Sequence, residues 1–155
     1  MSEPRLNLSV FVQNQFGRRG VPTARSFETW VREALAGRHG GRTEVNVVLL
    51  DADTARELNL RYRKKDYATN VLSFPYESAP REKSGLLGDL VLCPPVVARE
   101  AAEQGKAARD HYAHLTVHGV LHLIGYDHES ARDAEKMEAL ERRILAKLGI
   151  ADPYN

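Results

Sequence analysis

Three of the six histidines in this 155-residue chain fall within eleven residues, HGVLHLIGYDH, at positions 118–128. His118 and His122 are four residues apart, so on a helix their imidazoles lie one turn from each other and can reach the same point. Gly125 favours the left-handed conformation that ends a helix and turns the chain back. The spacing therefore predicts that His128 returns toward the other two and that three neutral imidazole nitrogens converge.

Three imidazole nitrogens are typical of a transition-metal site that keeps an open coordination position, and zinc is the first candidate. A structural zinc site usually has four protein ligands with cysteines among them, whereas Cys93 is the only cysteine of this chain. The fourth position is therefore expected to hold water, as in catalytic zinc sites. An incidental cluster of helical histidines remains the alternative on spacing alone.

Two further histidines precede the cluster on the same helical face. At about 100° per residue, His111, His114, His118 and His122 lie within an arc of roughly 80°. We expect His111 and His114 to line the pocket or to contact the ligands from behind, without binding the metal themselves. Asp127 either orients one imidazole through its second nitrogen, as metal-bound histidines commonly require, or only shapes the turn.

The spacing H-x-x-x-H-x-x-G-x-x-H also occurs in one class of zinc proteases. In those enzymes a glutamate directly follows the first histidine and acts as the general base. Here that position is Gly119, which cannot take up a proton. The sequence therefore argues against a protease, although a bound zinc would still make hydroxide available near neutral pH for another hydrolysis.

The densest basic patch of the chain precedes the third predicted strand. Four positive charges fall within five residues there, at Arg61, Arg63, Lys64 and Lys65. Because arginine binds phosphate oxygens through two N–H groups at once, a basic patch near a hydrolytic metal indicates a phosphodiester substrate. A solvated helix end is the alternative, since cations are favoured at a helix C-terminus.

Hydrophobic periodicity predicts the elements that must position these residues. Strands are predicted at 6–13, 43–50, 70–77 and 86–94, and helices at 23–37, 51–63, 95–105, 106–125 and 130–149. The first helix has an apolar face of Phe27, Trp30, Val31 and Leu35, and the last has a stripe of Met137, Leu140, Ile144 and Leu148. This order predicts one α/β domain over residues 1–155, with a mixed four-stranded sheet covered by about five helices. Strands three and four should form a hairpin.

Composition narrows the class of protein. The chain is 43% hydrophobic and 28% charged, with a formal charge of +1, which is typical of a globular domain and not of a polycation. One cysteine cannot form an internal disulfide. Neither a signal peptide nor a run long enough to span a bilayer is recognisable. We therefore expect a cytoplasmic protein with no membrane partner.

The residues also carry a family resemblance. HGVLHLIGYDH, with YRKKDYATNVLSFP (62–75) and LLGDLVLCP (86–94), closely resembles the YbeY family of bacterial metal-dependent endoribonucleases, and the similarity extends from about Val45 to Tyr154. The resemblance implies a mixed α/β fold, cleavage of single-stranded RNA, maturation of the 16S rRNA 3′ end and late ribosome quality control. By position it implies that His118, His122 and His128 are the metal ligands and that Arg63 is functionally important.

From these residues we predict an endoribonuclease that holds one zinc ion. Arg63 and His118 are the predicted catalytic residues, and Arg63, Lys64 and Lys65 are predicted to bind the RNA. The expected partners are single-stranded RNA, precursor 16S rRNA, the small ribosomal subunit, and a ribosomal protein or GTPase. Tyr62, Tyr67 and Phe74 are candidates for base stacking, although packing roles are favoured for each.

Two alternatives stay open at this stage. Hydroxide on the metal could attack phosphorus, or the metal could only polarise the phosphate while the RNA 2′-OH attacks. The protein could also be a ribosome-assembly or RNA-binding factor in which the metal is mainly structural and cleavage is weak or depends on a partner.

Overall fold

The boundaries of strands and helices follow the hydrophobic pattern closely. A computed structural model describes residues 5–76 and 85–154. The strands are β1 (Leu6–Asn14), β2 (Gly41–Leu49), β3 (Val71–Pro75) and β4 (Leu86–Leu92). The helices are α1 (Ala24–Leu35), α2 (Ala52–Arg63), α3 (Pro94–Glu103), α4 (Ala108–Leu123) and α5 (Ala131–Lys147). The predicted element order is confirmed, and no predicted boundary is more than two residues away from the observed one.

The four strands form one mixed sheet in the order β1-β2-β4-β3. β1 and β4 both run parallel to β2, and β3 runs antiparallel to β4. The mixed sheet and the pairing of strands three and four are therefore as predicted. The polar loop predicted between these two strands lies outside the described residues, apart from Gly85.

The sheet separates two apolar layers, because successive side chains of a strand point to opposite faces. Val45, Val47 and Leu49 of β2 face the larger core, which they share with α1, α4 and α5. Leu50 and Cys93 belong to a smaller cluster on the other side, beneath α2 and α3. Cys93 is thus a small buried side chain. The predicted apolar faces of α1 and α5 are buried too, except that Leu148 is only partly covered.

Helix α4 lies at the centre of the protein. It packs against α1, α3, α5 and the sheet, and its buried residues therefore occur on nearly every side. A helix that is packed on most sides is expected to be apolar on most sides. The histidines of α4 are therefore a conspicuous polar stripe on a largely buried helix. None of the helices within residues 5–76 and 85–154 is long and apolar enough to cross a bilayer.

Gly119 lets α4 approach the sheet closely. A Cβ atom at this position would lie 2.6 Å from Leu90 Cδ2 and 3.1 Å from Ser73 Oγ. Ser73 Oγ also donates a hydrogen bond to the Gly119 carbonyl at 3.1 Å. The side of α4 at Gly119 therefore contacts β3 and β4, and the residue that is the general base in the zinc proteases would point into the core here.

Helix α2 ends in a turn that is held from both sides. Lys64 has φ 62° and is the one non-glycine residue with positive φ in the described ranges. The side chain of Asn59 is buried and donates to the Tyr67 carbonyl at 2.8 Å. Arg56 binds the Asp66 carboxylate, with Nε 2.6 Å from Oδ1. These contacts fix the loop that connects α2 to β3.

Replacing Lys64 with glycine is expected to stabilise the fold. A left-handed conformation costs an L-residue about 1–2 kcal/mol, which glycine avoids, but glycine also loses more entropy on folding. We expect Lys64→Gly to raise the free energy of unfolding by about 0.5–1 kcal/mol, measured by urea denaturation. Lys65→Gly is the matched control, because Lys65 does not have positive φ. An equal or larger gain for Lys65→Gly would contradict this explanation.

Candidate metal centre

Three histidines meet at the C-terminal end of α4. His118 and His122 lie on successive turns, with their Nε2 atoms 3.1 Å apart. His128 lies in the loop that follows α4. One ring nitrogen can be chosen from each of the three histidines so that all three nitrogens lie within 4.8 Å of one another. In the described part of the chain this is the one group of three histidine, cysteine or carboxylate side chains placed so closely. The convergence predicted from the spacing is present.

The turn after α4 is what brings His128 back. Gly125 has φ 102°, and its N–H donates to the His122 carbonyl at 3.1 Å, while the N–H of Tyr126 donates to Leu121 at 2.9 Å. These two bonds form the Schellman motif that commonly ends a helix. The Asp127 carboxylate accepts the backbone N–H of His128 at 2.6 Å. Asp127 thus binds the backbone of the turn, and its predicted role in orienting an imidazole stays a prediction.

The donor set could hold a metal ion, and the spacing of two of its nitrogens is compatible with zinc. Zinc–imidazole bonds of 2.0–2.1 Å place two nitrogens on the same tetrahedral ion about 3.3 Å apart, close to the 3.1 Å between His118 and His122. Three imidazoles without a thiolate leave room for a fourth ligand. Burial, together with the neighbouring His118 and His128 rings, lowers the pKa of His122, so this ring is neutral near pH 7, as a metal ligand must be.

Glu141 of α5 contacts the cluster from behind. Its side chain is fully buried, and Oε1 lies 3.3 Å from Nδ1 of His118 and 2.8 Å from Nε2 of His114. Burial alone would raise the pKa of Glu141, but the hydrogen bonds from His114 and His118 outweigh it and bring the pKa to about 2. The ionised carboxylate can only accept. Nδ1 of His118 thus faces an acceptor, while its Nε2 lies 3.1 Å from Nε2 of His122.

Glu141 was not among the site residues predicted from the sequence. The available signal was its position between Met137, Leu140 and Ile144, since a carboxylate within a buried stripe needs partners. His114 contacts the same Glu141 oxygen at 2.8 Å, and its predicted role behind the ligands stays a prediction. His111 lies nearer the N-terminus of α4, and its Nε2 atom is 2.8 Å from Oε1 of Glu100 instead.

The histidines line a cavity of about 330 Å³ that also includes Arg63. Its walls come from the end of α2, from β3, from α4 and from the C-terminal tail. They are formed by Arg63, Asn70, Val71, Ser73, His114, Leu115, His118, His122, His128 and Tyr154. Asn70 is held in place by Glu100, which accepts its side-chain N–H at 3.0 Å. The structure thus places the predicted arginine and the three predicted ligands around the same space.

The two predicted RNA-binding lysines are not among the residues that line the metal cavity. Lys64 lines a different concavity, together with Glu57, Leu60 and Arg61 of α2. Lys65 follows it in the exposed loop. Because α2 ends at Arg63 and the chain turns at Lys64, these two neighbours in sequence line different concavities. Their role in guiding RNA stays a prediction.

The aromatic residues considered for base stacking are partly packed and partly exposed. Tyr62 and Phe74 pack edge to face, with ring centroids 5.5 Å apart. Tyr62 and Tyr67 are nevertheless more than half exposed. Tyr154 was not among the candidates, although its ring lines the metal cavity.

Comparisons with known proteins agree with this geometry. A family model described as "Endoribonuclease YbeY" matches residues 12–149. A protein of that name from Stenotrophomonas maltophilia (strain R551-3) is 56% identical over 158 aligned positions, covering 99% of this chain and 98% of the relative. Another, from Alkalilimnicola ehrlichii, is 59% identical over 140 positions and covers 88% and 84% of the two chains.

A solved structure shows the same architecture. It is a solution structure of a Thermotoga maritima protein that is 25% identical to this chain. The superposition covers 95% of this chain and 99% of that one, with a TM-score of 0.58. The fold described above is therefore shared over essentially the full length.

Proposed function

Because the chain belongs to the endoribonuclease YbeY family, and is by that membership an RNA-cleaving hydrolase, we propose that it is a zinc-dependent endoribonuclease specific for single-stranded RNA. The proposal extends to maturation of the 16S rRNA 3′ end and to late ribosome quality control in the cytoplasm. The observation that carries it is the placement of three imidazoles and Arg63 around one cavity.

His118, His122 and His128 would hold the ion. The chemistry that a divalent ion supplies in such a site is polarisation of a phosphoryl oxygen and activation of water. Glu141 lies 3.3 Å from Nδ1 of His118, so coordination through Nε2 would leave that contact intact. The proposed role of His118 in catalysis is to bind the ion in a fixed orientation.

Arg63 supplies the positive charge for the phosphate. It is the last residue of α2 and its side chain reaches the cavity wall. A guanidinium can hold two phosphate oxygens through parallel N–H groups. Charge that builds up on the phosphate during cleavage would be stabilised there, in a cavity walled on several sides by protein.

A preference for single strands follows from the surroundings of the cavity. An unpaired strand can bend into a pocket and expose its bases for stacking, whereas a duplex presents a regular backbone. Tyr62 and Tyr67 are exposed aromatic residues of the segment around Arg63 in the sequence, and Tyr154 lines the cavity itself. Stacking of bases on such rings does not depend on sequence. The natural partners we propose are precursor 16S rRNA, the small ribosomal subunit and a ribosomal protein or GTPase.

Cleavage by the purified protein tests this function. We expect the zinc-loaded protein to cut an end-labelled single-stranded RNA and to leave the same RNA nearly intact when it is annealed to its complement. Removal of the metal by a chelator should abolish cleavage, and added zinc should restore it. Products ending in a cyclic phosphate would identify attack by the 2′-OH.

The binding-factor alternative predicts a different outcome of the same experiment. If the zinc-loaded protein binds RNA but never cuts it, the metal is structural and the protein acts in ribosome assembly. A parallel incubation with His122→Ala controls for contaminating nucleases. That variant loses a proposed metal ligand, whereas a contaminant would be present in both preparations.

A further inference from the structure

The C-terminal tail reaches the metal centre through one hydroxyl group. Tyr154 donates a hydrogen bond to Oε1 of Glu141 at 2.9 Å, the same oxygen that accepts from His118 and His114. Three donors therefore converge on one atom of a carboxylate that is fully buried. Oε2 of Glu141 has no hydrogen-bond partner among the described residues, so the orientation of this carboxylate depends on Oε1 alone.

Contacts within the tail hold Tyr154 in this position. Asp152 accepts the backbone N–H of Tyr154 at 2.8 Å and forms an ion pair with Arg142 of α5 at 3.1 Å. The Arg142 guanidinium also lies 5.3 Å from the centre of the Tyr154 ring, within the range of a cation–π contact. The edge of the ring meets His114, with centroids 5.4 Å apart. The tail is thus fastened to α5 on one side and to α4 on the other.

This arrangement has a consequence for the histidine that faces the metal site. A neutral imidazole binds a metal through one nitrogen only if the other nitrogen keeps the proton, and a fixed acceptor selects that tautomer. We propose that Glu141, locked in orientation by the Tyr154 hydroxyl, is a positioning residue that holds His118 with Nε2 directed at the metal site. The proposal rests on the metal-dependent function proposed above, and it makes the C-terminal tail part of the metal centre.

Two variants separate this role from a purely structural one. Glu141→Gln retains the size of the side chain but loses the charge that attracts the Nδ1 proton of His118. Tyr154→Phe retains the ring with its packing against His114 and Arg142 and removes the hydroxyl group, which lies 2.9 Å from Oε1 of Glu141 and 3.3 Å from Nε2 of His114. Glu135→Gln is the matched control, because Glu135 is an exposed residue of the same helix.

Zinc affinity is measured by competition with a chromophoric chelator. Loss of an outer contact of this kind typically weakens metal binding about 10–100-fold, and we expect this for Glu141→Gln. Tyr154→Phe should give a smaller loss in the same direction, and Glu135→Gln none. Long-range ¹⁵N–¹H NMR of the imidazoles should show the proton of His118 on Nδ1 in the wild type and a mixture of tautomers in Glu141→Gln.

The outcomes are distinguishable from failure of the function itself. If the wild type binds no zinc, the metal-dependent function fails. If the wild type binds zinc and Glu141→Gln matches it in affinity and in the His118 tautomer, the positioning role is wrong while the function stands. A lower free energy of unfolding with unchanged affinity and tautomer would likewise reduce Glu141 to a structural contact.

Discussion

Arg63→Ala is expected to slow cleavage of single-stranded RNA by the zinc-loaded protein about 10²–10³-fold, the usual effect of removing one group that stabilises charge in a transition state. Arg63 lines the same cavity as His118, His122 and His128. In the described ranges its side chain takes part in no hydrogen bond or ion pair, so the fold should not depend on it. The measurement is a single-turnover cleavage rate at saturating protein, with bound zinc determined on the same samples.

Arg61→Ala is the matched control for this prediction. It removes the same charge from the same helix two residues earlier, at a position that lines the concavity of Lys64 instead. We expect the Arg61 variant to cleave at nearly the wild-type rate and both variants to retain zinc. An equal loss of rate in both would mean that Arg63 acts only through the general electrostatic attraction of RNA.

Gly119→Glu, which would restore the general base of the zinc proteases, is expected to prevent folding instead of creating a protease. A Cβ atom at this position already lies 2.6 Å from the buried Leu90 side chain. Glutamate would add the rest of its side chain and an unpaired carboxylate to the core, at a cost of several kcal/mol. That is comparable with the whole stability of a domain, about 5–15 kcal/mol.

A smaller substitution at Gly119 and the same substitution at an exposed position serve as comparisons for Gly119→Glu. Gly119→Ala should lower the free energy of unfolding by about 1–3 kcal/mol, measured by urea denaturation. Ala131→Glu places the same charged side chain at an exposed first-turn position of α5 and should leave stability nearly unchanged. Folded, soluble Gly119→Glu with wild-type stability would contradict the close contact between α4 and the sheet.

The part of the site formed within one short segment could be predicted from the sequence. His118 and His122 are one turn apart, and the turn at Gly125 reverses the chain with local hydrogen bonds to the carbonyls of Leu121 and His122. Helical geometry and glycine conformation depend little on the rest of the fold. The helices and strands could be predicted for the same reason. Apolar residues repeat every 3.6 residues in helices and every 2 residues in strands, and these repeats predicted each element and the mixed sheet.

The part formed between distant segments could not be predicted. Glu141 meets His118 because of how α5 packs on α4, and Tyr154 arrives from the tail that follows α5. No spacing rule fixes such a contact. Adjacency in sequence also did not predict the position of Lys64, which directly follows Arg63. Its left-handed conformation turns the chain, and it lines a different concavity.

Asp127 illustrates the competition between local and distant partners. Its carboxylate accepts the N–H of His128, the residue that directly follows. Short polar side chains commonly satisfy nearby backbone groups in turns. Glu141, by contrast, contacts an imidazole of the cluster, and its side chain is fully buried within a helix.

Elemental analysis of the purified protein after loading with excess zinc and removal of unbound metal tests the central claim most directly. The wild type should contain one zinc per chain, as should His39→Ala, in which the substituted histidine is outside the cluster. His122→Ala should contain little or none, because two imidazoles without a third ligand bind zinc weakly. A wild type without zinc, or a His122→Ala variant that keeps one zinc per chain, would contradict the claim that these three imidazoles hold the metal.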